Sequence, residues 1–243
     1  MKKIIYIDLG THFGQEFSSL FGEDIKFYLF CIKRLIGFYL FKKGEKFTIK
    51  ELLSIYQKRK LAKENKERFL FYFIEANSKI INSSKIYEQA HTIFNCAITD
   101  NENADFTKLY IANQNQLSQG SSIYETKKNV NKNEYLLTIG ISAENFFQKL
   151  KKYLDKVNFE YSVILRLNCE GVEDSIIYSA HSFLKDKLVL ILGSLKDVKF
   201  CKSEAEFDKL NKYIQDNNLH FVNFSPSAKS WLKAHEAIID CIN

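Results

Sequence analysis

The sequence is poor in several residue types and motifs that would indicate particular classes of protein. Its 243 residues include one proline, one methionine, one tryptophan and five cysteines. The cysteines form no C-x-x-C pair and the histidines show no H-x-H or H-E-x-x-H spacing, so we expect neither a disulfide framework nor a metal site. The start, MKKIIYID, holds too few apolar residues for the core of a signal peptide. These absences predict a cytoplasmic protein with reduced thiols.

The sequence also has no long apolar run that is free of charged residues. The longest mainly apolar segment, residues 24–41, contains Lys26, Lys33 and Arg34. A membrane-spanning helix needs about 20 apolar residues without central charges. We favour a helix packed on the core or on a second subunit, which would make a homodimer. A lid or a helix on a membrane surface is the alternative.

Positive charge is concentrated in one segment. Residues 42–68 carry ten Lys or Arg and four Glu, a net charge of +6 that equals the formal charge of the whole chain. Within it, Thr48 and Glu51 have the T-x-x-E spacing of a capping box and predict that a helix begins there. The surplus can attract a phosphate-bearing acceptor or give peripheral contact with an anionic membrane, although a solvated helix is the more ordinary explanation. Nucleic acid is not expected, because no stacking-aromatic motif or known binding module accompanies the charge.

The chain has enough apolar and aromatic residues to form a hydrophobic core. An apolar content of 46% with 14% aromatic residues suits one α/β domain over residues 1–243. We expect a helical insertion at about 17–68 in this domain.

The opening segment is the most informative. Residues 4–8 predict a strand that ends at Asp8, then a turn with Gly10 and Gly14, then a helix whose free N–H groups can face a ligand. The G-x-x-x-G spacing differs from the G-x-G-x-x-G of dehydrogenases and is commoner for S-adenosylmethionine sites. IDLGT also resembles the phosphate loop of actin-like ATPases, but D-x-G occurs only at Asp8 and that fold needs a second one. An ordinary βα turn without a ligand remains open.

A second acidic residue closes the next predicted strand, at residues 69–75. Glu75 is our candidate for the ribose hydroxyls, because nucleoside-binding α/β folds use an acidic residue at this strand tip. It lies 65 residues after Gly10 and not the usual roughly 20, which is why residues 17–68 look inserted. A surface carboxylate at a strand end is the alternative.

Further elements follow in alternation. We expect a helix near 84–91, a third strand at 92–98 where Asn95 and Ala97 could flank an adenine ring, and a polar flap on the acceptor side at 101–133. A strand at 135–139 and a helix at 142–153 come next. Later strands are expected at 188–193 and 220–224, with a helix capped by Ser203 between them and Pro226 opening the last helix.

Polar residues crowd the end of another predicted strand. The segment YSVILRLNCEGVEDSII at 161–177 ends its strand in Asn168, Cys169, Glu170 and Gly171, and Glu173 falls in the first turn of the helix that follows. Two carboxylates and an amide therefore gather at one strand end.

Four segments, IDLGTHFGQEF, FIEANSKI, GSSIY and LRLNCEGVEDSII, occur in an order that resembles the FkbM family of S-adenosylmethionine-dependent methyltransferases. The resemblance covers about residues 3–180. It implies an α/β class I methyltransferase fold, Rossmann-like, with a seven-stranded, mostly parallel sheet between helices. It also implies methyl transfer to hydroxyls of carbohydrates or natural products.

The resemblance assigns roles to particular residues. The methionine part of the cofactor would be lined by Asp8, Gly10, Thr11 and Gly14. The ribose would meet Glu75, and Asn77 belongs to the same motif. Two positions depart from the family pattern, where Arg166 replaces a lysine and Asn168 replaces an aspartate that could act as a base.

We therefore expect an O-methyltransferase that acts on a carbohydrate or a surface-polysaccharide precursor, nucleotide-linked or bearing phosphate or phosphoramidate. For the base we rank Glu170 first and His12 second, with Glu173 and His181 also within reach and Asn168 in the same catalytic group. A nucleoside-binding protein without catalysis is the alternative, and an actin-like nucleotide binder is a weaker one.

Overall fold

The computed structural model describes residues 2–41, 48–102, 105–112, 117, 120–224 and 228–242. Its main sheet has six strands in this part of the chain, all parallel. The bounds are β1 Lys3–Leu9, β2 Phe69–Ile74, β3 Thr92–Phe94, β7 Tyr161–Leu167, β8 Leu188–Gly193 and β9 Phe221–Asn223. Their order in the sheet, β3-β2-β1-β7-β8-β9, is compatible with a Rossmann-like, doubly wound fold.

A second sheet of three strands stands beside the first. It consists of β4 Ala97–Thr99, β5 Phe106–Ala112 and β6 Val130–Ser142, in the order β4-β6-β5. Strand β5 is antiparallel to β6, whereas β4 is parallel to it.

The expected strand count was wrong. Six strands, not seven, form the main sheet of the described residues. The strand expected at 92–98 is two strands in different sheets, because the chain turns at Asn95, whose side-chain amide donates to the Glu75 carbonyl at 2.8 Å. The expected polar flap at 101–133 includes strand β5 and the start of β6, and the strand expected at 135–139 belongs to the longer β6.

The helices cover both faces of the main sheet. Their bounds are α1 Gln15–Phe21, α2 Asp24–Phe41, α3 Ile49–Glu64, α4 Ser78–Ser83, α5 Ala143–Leu154, α6 Glu173–Leu184, α7 Lys196–Cys201, α8 Glu204–Asp216 and α9 Ala228–Asp240. The capping box of Thr48 and Glu51 is confirmed, and Ser203 caps α8 as expected. The helix expected near 84–91 is a short 3-10 segment, Lys85–Gln89, and Pro226 lies outside the described residues.

Two apolar cores lie on opposite faces of the sheet. One packs α5, α6 and α8 against it, and the other packs α1, α3 and α9. Every residue of β7 is buried, as is every residue of β1 after Lys3, which explains why these strands read as continuous apolar runs. The segment between β1 and β2 is helical, formed by α1, α2 and α3 where it is described. Within the described residues, no helix combines the length and apolarity needed to cross a bilayer.

Candidate functional site

A cleft opens at the carboxyl ends of the central strands β1 and β7. After β1 the chain continues to β2 on one side of the sheet, and after β7 it continues to β8 on the other side. The cleft is open to solvent, and the cavity within it has a volume of about 70 Å³, smaller than the roughly 300–1,000 Å³ that is typical of small-molecule sites. The lining residues are Gly10, His12, Ile74, Glu75, Ala76, Asn77, Ile80, Cys96, Ala97, Ile98, Leu109, Gly120, Ser121, Ile123, Asn168, Cys169 and Glu170. Ligands of open α/β sheets bind at this kind of switch point.

Glu75 is a buried carboxylate in the wall of this cleft. It follows β2, and its two oxygens accept backbone N–H groups from His12 at 2.9 Å and from Asn77 at 2.8 Å. Burial raises the pKa of Glu75, and these two hydrogen bonds oppose that rise by stabilising the charged form. Since each carboxylate oxygen can accept more than one hydrogen bond, the side chain can also receive donors from a ligand.

The turn after β1 is pressed against the loop after β7. Gly10 has φ +72°, and a Cβ on it would lie 2.1 Å from the Asn168 carbonyl oxygen, so only glycine fits here. Beneath the turn, Arg166 donates to the Asp8 carboxylate at 2.9 Å and to the Gly10 carbonyl at 2.8 Å. Asp8 is wholly buried in this ion pair and does not line the cleft.

Thr11 and Gly14 shape the same turn from behind the cleft. The Thr11 hydroxyl donates to the Asp8 carbonyl at 2.8 Å, and the Gly14 N–H donates to the Thr11 carbonyl at 2.7 Å. The space beside Gly14 is filled by Ile86, whose Cδ1 lies 2.1 Å from the position of an added Cβ. Neither residue lines the cleft.

One wall of the cleft is apolar. It is formed by Cys96, Ala97 and Ile98 around strand β4 and by Leu109 of β5. Asn95, expected on this wall, instead uses its amide to hold the chain at the Glu75 and Ala76 carbonyls. This wall suits the flat face of an aromatic ring.

Asn77 begins helix α4 at the edge of the cleft. Its side chain accepts a hydrogen bond from the Lys79 N–H at 3.0 Å and so caps the helix, while its own N–H binds Glu75. The E-x-N pattern at the end of β2 therefore couples the carboxylate to the start of a helix.

Glu170, the first-ranked base, lines the cleft but is paired with a cation. Its carboxylate receives the Lys127 ammonium, which also lies 3.3 Å from Asp197. Glu170 has φ +61°, and its carbonyl accepts the Ser122 hydroxyl at 2.7 Å. The sequence did not predict a role for Lys127, because a lysine in a polar segment gives no indication of the residue with which it pairs.

Glu173, predicted as a catalytic residue, lies behind the loop after β7 and does not line the cleft. Its two oxygens accept the N–H groups of Cys169 at 3.0 Å and Gly171 at 2.9 Å, and the side chain is 1% exposed. Burial raises the pKa of Glu173 to about 7. These contacts make it a residue that shapes the loop after β7.

His12 lies at the mouth of the cleft in a left-handed conformation, with φ +49°. Its Nε2 is 3.1 Å from the Leu117 carbonyl oxygen, and its own carbonyl accepts the Tyr87 hydroxyl at 2.8 Å. His181 does not line the cleft. Its Nδ1 lies 2.8 Å from the hydroxyl of Tyr213, on α8.

The structure brings together seven of the thirteen predicted site residues as lining of one cleft. They are Gly10, His12, Glu75, Asn77, Ala97, Asn168 and Glu170. Of the other six, Asp8, Thr11, Gly14, Asn95 and Glu173 hold the surrounding loops, and His181 lies away from the cleft.

A further polar network supports the flap side of the cleft. Lys202 lies 2.8 Å from Asp174 and 2.9 Å from Asp100, and the Tyr124 hydroxyl donates to Asp100 at 2.5 Å. Burial alone would raise the pKa of Asp100, but hydrogen bonds from Tyr124 and Lys202 lower it. The described residues contain no group of three or more His, Cys, Asp or Glu side chains placed to hold a metal ion.

Comparison with protein-family models, curated proteins and solved structures finds no match to this chain. The resemblance to FkbM methyltransferases therefore depends on the quoted motifs alone, and the cleft geometry is independent of it.

Proposed function

We propose that this chain binds S-adenosylmethionine in the cleft and transfers its methyl group to a hydroxyl of a carbohydrate or surface-polysaccharide precursor. The observation that carries the proposal is Glu75, a buried carboxylate at the end of β2 that faces the same cleft as Gly10. Nucleoside-binding sheets place the acceptor of the ribose hydroxyls at this strand end.

The two ends of the cleft differ in a way that suits the two ends of this cofactor. The adenine ring would lie against the apolar wall of Cys96, Ala97 and Ile98. The methionine part would extend past Gly10 toward Asn168, where backbone and amide groups supply polar contacts. Glu75 lies between these ends and would accept the ribose hydroxyls.

The glycine spacing of the turn after β1 favours S-adenosylmethionine over a dinucleotide. Six parallel strands in this order also suit a dinucleotide fold. The turn after β1 has glycines four apart, however, and a dinucleotide turn needs G-x-G-x-x-G. The space beside Gly14, where a dinucleotide's phosphates would approach the helix, is occupied by Ile86. A dinucleotide is therefore a less favoured ligand for this cleft than S-adenosylmethionine.

Methyl transfer from a sulfonium is an in-line displacement, so alignment of the acceptor oxygen with the methyl carbon is the main requirement. Such alignment can contribute about 7–11 kcal/mol. Removal of the hydroxyl proton would add a factor of about 10²–10⁴. Glu170 is already paired with the Lys127 ammonium, so we propose His12 as the proton acceptor. Its Nε2 faces the Leu117 carbonyl oxygen and so carries a hydrogen, which leaves Nδ1 to accept the proton.

Calorimetry with S-adenosylmethionine and S-adenosylhomocysteine tests the cofactor assignment. We expect the wild type to bind both and Glu75→Gln to bind at least tenfold more weakly, because the amide offers one acceptor oxygen where the carboxylate has two. Glu144→Gln is the matched control, since Glu144 is exposed in the first turn of α5 and outside the cleft lining. Equal binding by Glu75→Gln and Glu144→Gln would contradict the ribose assignment.

A panel of sugars and nucleotide sugars, assayed for S-adenosylhomocysteine, tests the catalytic part. We expect turnover with at least one acceptor, and His12→Gln should lower kcat more than it weakens cofactor binding. If Glu170→Gln instead lost turnover while His12→Gln kept it, the ranking of the two bases would be reversed.

One observation favours a second candidate, a nucleoside-binding protein without catalysis. Two of the expected acid-base groups are already engaged, Glu170 by Lys127 and Glu173 by two backbone N–H groups. Tight cofactor binding without turnover on any acceptor of the panel would support this candidate.

A further inference from the structure

Helix α2 exposes an unusually apolar face. Among its side chains that the structure describes, only Phe27 and Cys31 are buried, and they meet Ile55 of α3 in a small cluster. Large apolar side chains cover the opposite face with exposures from 45% to 74%. They are Ile25, Leu29, Ile32, Ile36, Tyr39 and Leu40. A helix that is apolar on nearly every side is normally buried on every side.

The spacing of these side chains indicates what buries them. Positions 25, 29, 32, 36 and 39 are separated alternately by four and three residues, which is the a/d pattern of a coiled coil. A strict a/d stripe is narrower than the face that a helix presents to a globular core. Lys33, which is exposed, falls next to the stripe at the kind of position where coiled coils carry charge. The pattern therefore fits another helix better than a broad surface.

The size of the stripe fits a stable interface between two copies. Together with Leu40 beside it, the stripe exposes on the order of 700 Å² per chain, taking about 200 Å² for each side chain when fully exposed. The largest apolar patch of a typical monomer is about 300–600 Å². Two copies together would bury roughly 1,400 Å², within the range of specific interfaces. Tyr56 of α3 is also exposed, and its ring contacts Tyr28 of α2, so the apolar surface continues onto α3.

We infer that the stripe on α2 packs against the same stripe of a second copy and makes a two-fold homodimer. The a and d positions hold only apolar side chains, so they carry no buried polar residue that would select a different helix. A self-complementary patch of this kind produces the commonest oligomer, the two-fold dimer. A membrane-surface helix would instead carry a strongly charged face and have low overall hydrophobicity, whereas α2 is apolar on nearly every side.

The proposed dimer surface and the cleft are separate. The cleft lining includes no residue of α2, and α2 joins the molecule through α3, which packs on α1 and α9. Dimer formation and cofactor binding can therefore succeed or fail independently.

Light scattering coupled to size exclusion, on the full chain over a wide range of concentration, tests the inference. We expect the wild type at twice the chain mass, and Ile32→Glu and Ile36→Lys at the chain mass, because either charge would be buried in the seam. Phe200→Glu is the control, since Phe200 is 58% exposed on α7, outside the stripe, and should remain dimeric. Unchanged circular dichroism would establish that the variants are folded.

Several results would overturn the inference. A monomeric wild type at every concentration would do so, as would a dimer that survives both Ile32→Glu and Ile36→Lys. Vesicles of mixed neutral and anionic lipid provide the other test. If the wild type were monomeric and sedimented with them while Ile32→Glu did not, the stripe would be a membrane contact.

Discussion

At the scale of single residues, His235 on α9 is a buried titratable group outside the cleft. It is 1% exposed, and its Nε2 lies 3.0 Å from the Ser19 hydroxyl of α1. Burial, together with the nearby charges of Arg59 and Lys58, lowers the pKa of His235 to about 3. This imidazole is therefore neutral in the folded protein at neutral and mildly acidic pH.

This buried imidazole should make stability fall in mild acid. Between pH 6.5 and about pH 3 the unfolded chain binds a proton at His235 and the folded chain does not, so the free energy of unfolding decreases as pH falls. The slope from this one group is about 1.4 kcal/mol per pH unit. Urea unfolding at pH 7, 6 and 5 should give a shallower loss for His235→Gln than for the wild type. The exposed His220 supplies the control, and a His220→Gln slope equal to that of His235→Gln would contradict the assignment.

The candidate site was predictable where a residue sits at the end of a strongly patterned strand. Glu75 is such a residue, because the short run FLFYFI, rich in aromatic residues, predicts β2 and indicates where the strand stops. Lys127 is the opposite case, since it reaches Glu170 from 43 residues away. The roles of Glu170 and Glu173 depend on which donors the fold brings to them, and sequence spacing does not contain that information.

At the scale of elements, Arg59 joins the helices between β1 and β2. Its guanidinium is 1% exposed and donates to the carbonyls of Ser18, Ser19 and Gly22 at the end of α1. It also binds Asp24 at 2.8 Å. One side chain on α3 thus supplies donors to the carbonyls of Ser19 and Gly22 at the end of α1, while the Ser18 carbonyl also accepts the Gly22 N–H.

Replacing Arg59 with methionine should weaken this whole helical segment. Arg59→Met keeps a long apolar side chain but leaves buried carbonyls without donors, which we expect to cost about 2–4 kcal/mol of unfolding free energy. Hydrogen exchange should also become faster in α1 and α2 than in β1. Lys60→Met is the matched control, because Lys60 is exposed on the same helix. Equal losses in the two variants would show that the guanidinium contacts do not stabilise the segment.

Elements with local signals were predicted well, and elements that depend on distant pairing were not. The start of α3 follows from Thr48 and Glu51 alone, which are three residues apart and satisfy each other. The division of 92–98 into β3 and β4 was not predictable, because β4 forms through its pairing with Gly140, Ile141 and Ser142 of β6, about 40 residues further along the chain. Strand β5 was likewise not predicted within the polar residues 101–133, because most of its pairing is with residues 135–139 of β6, which lie beyond them.

At the scale of the whole molecule, the cleft is shared by the two halves of the main sheet. Glu75 comes from the half that contains β2, and Asn168 and Glu170 come from the half that contains β7. The α/β class was predictable from the alternation of elements, whereas the number of strands depends on which edges pair. A ligand in this cleft would contact both halves, so its binding should stabilise the fold as a unit.

Thermal unfolding with a set of nucleotides therefore tests cofactor class on the intact chain. A ligand at 100 times its dissociation constant adds about 2.7 kcal/mol of stability, which corresponds to roughly 5–10 °C for a chain of this size. We expect such a shift with S-adenosylhomocysteine, a much smaller one with ATP or NAD, and its loss in Glu75→Gln but not in Glu144→Gln. A larger shift with ATP or NAD would replace the methyl-donor proposal with a nucleotide-binding one. A shift that Glu75→Gln retained would place the ligand elsewhere than beside the carboxylate that ends β2.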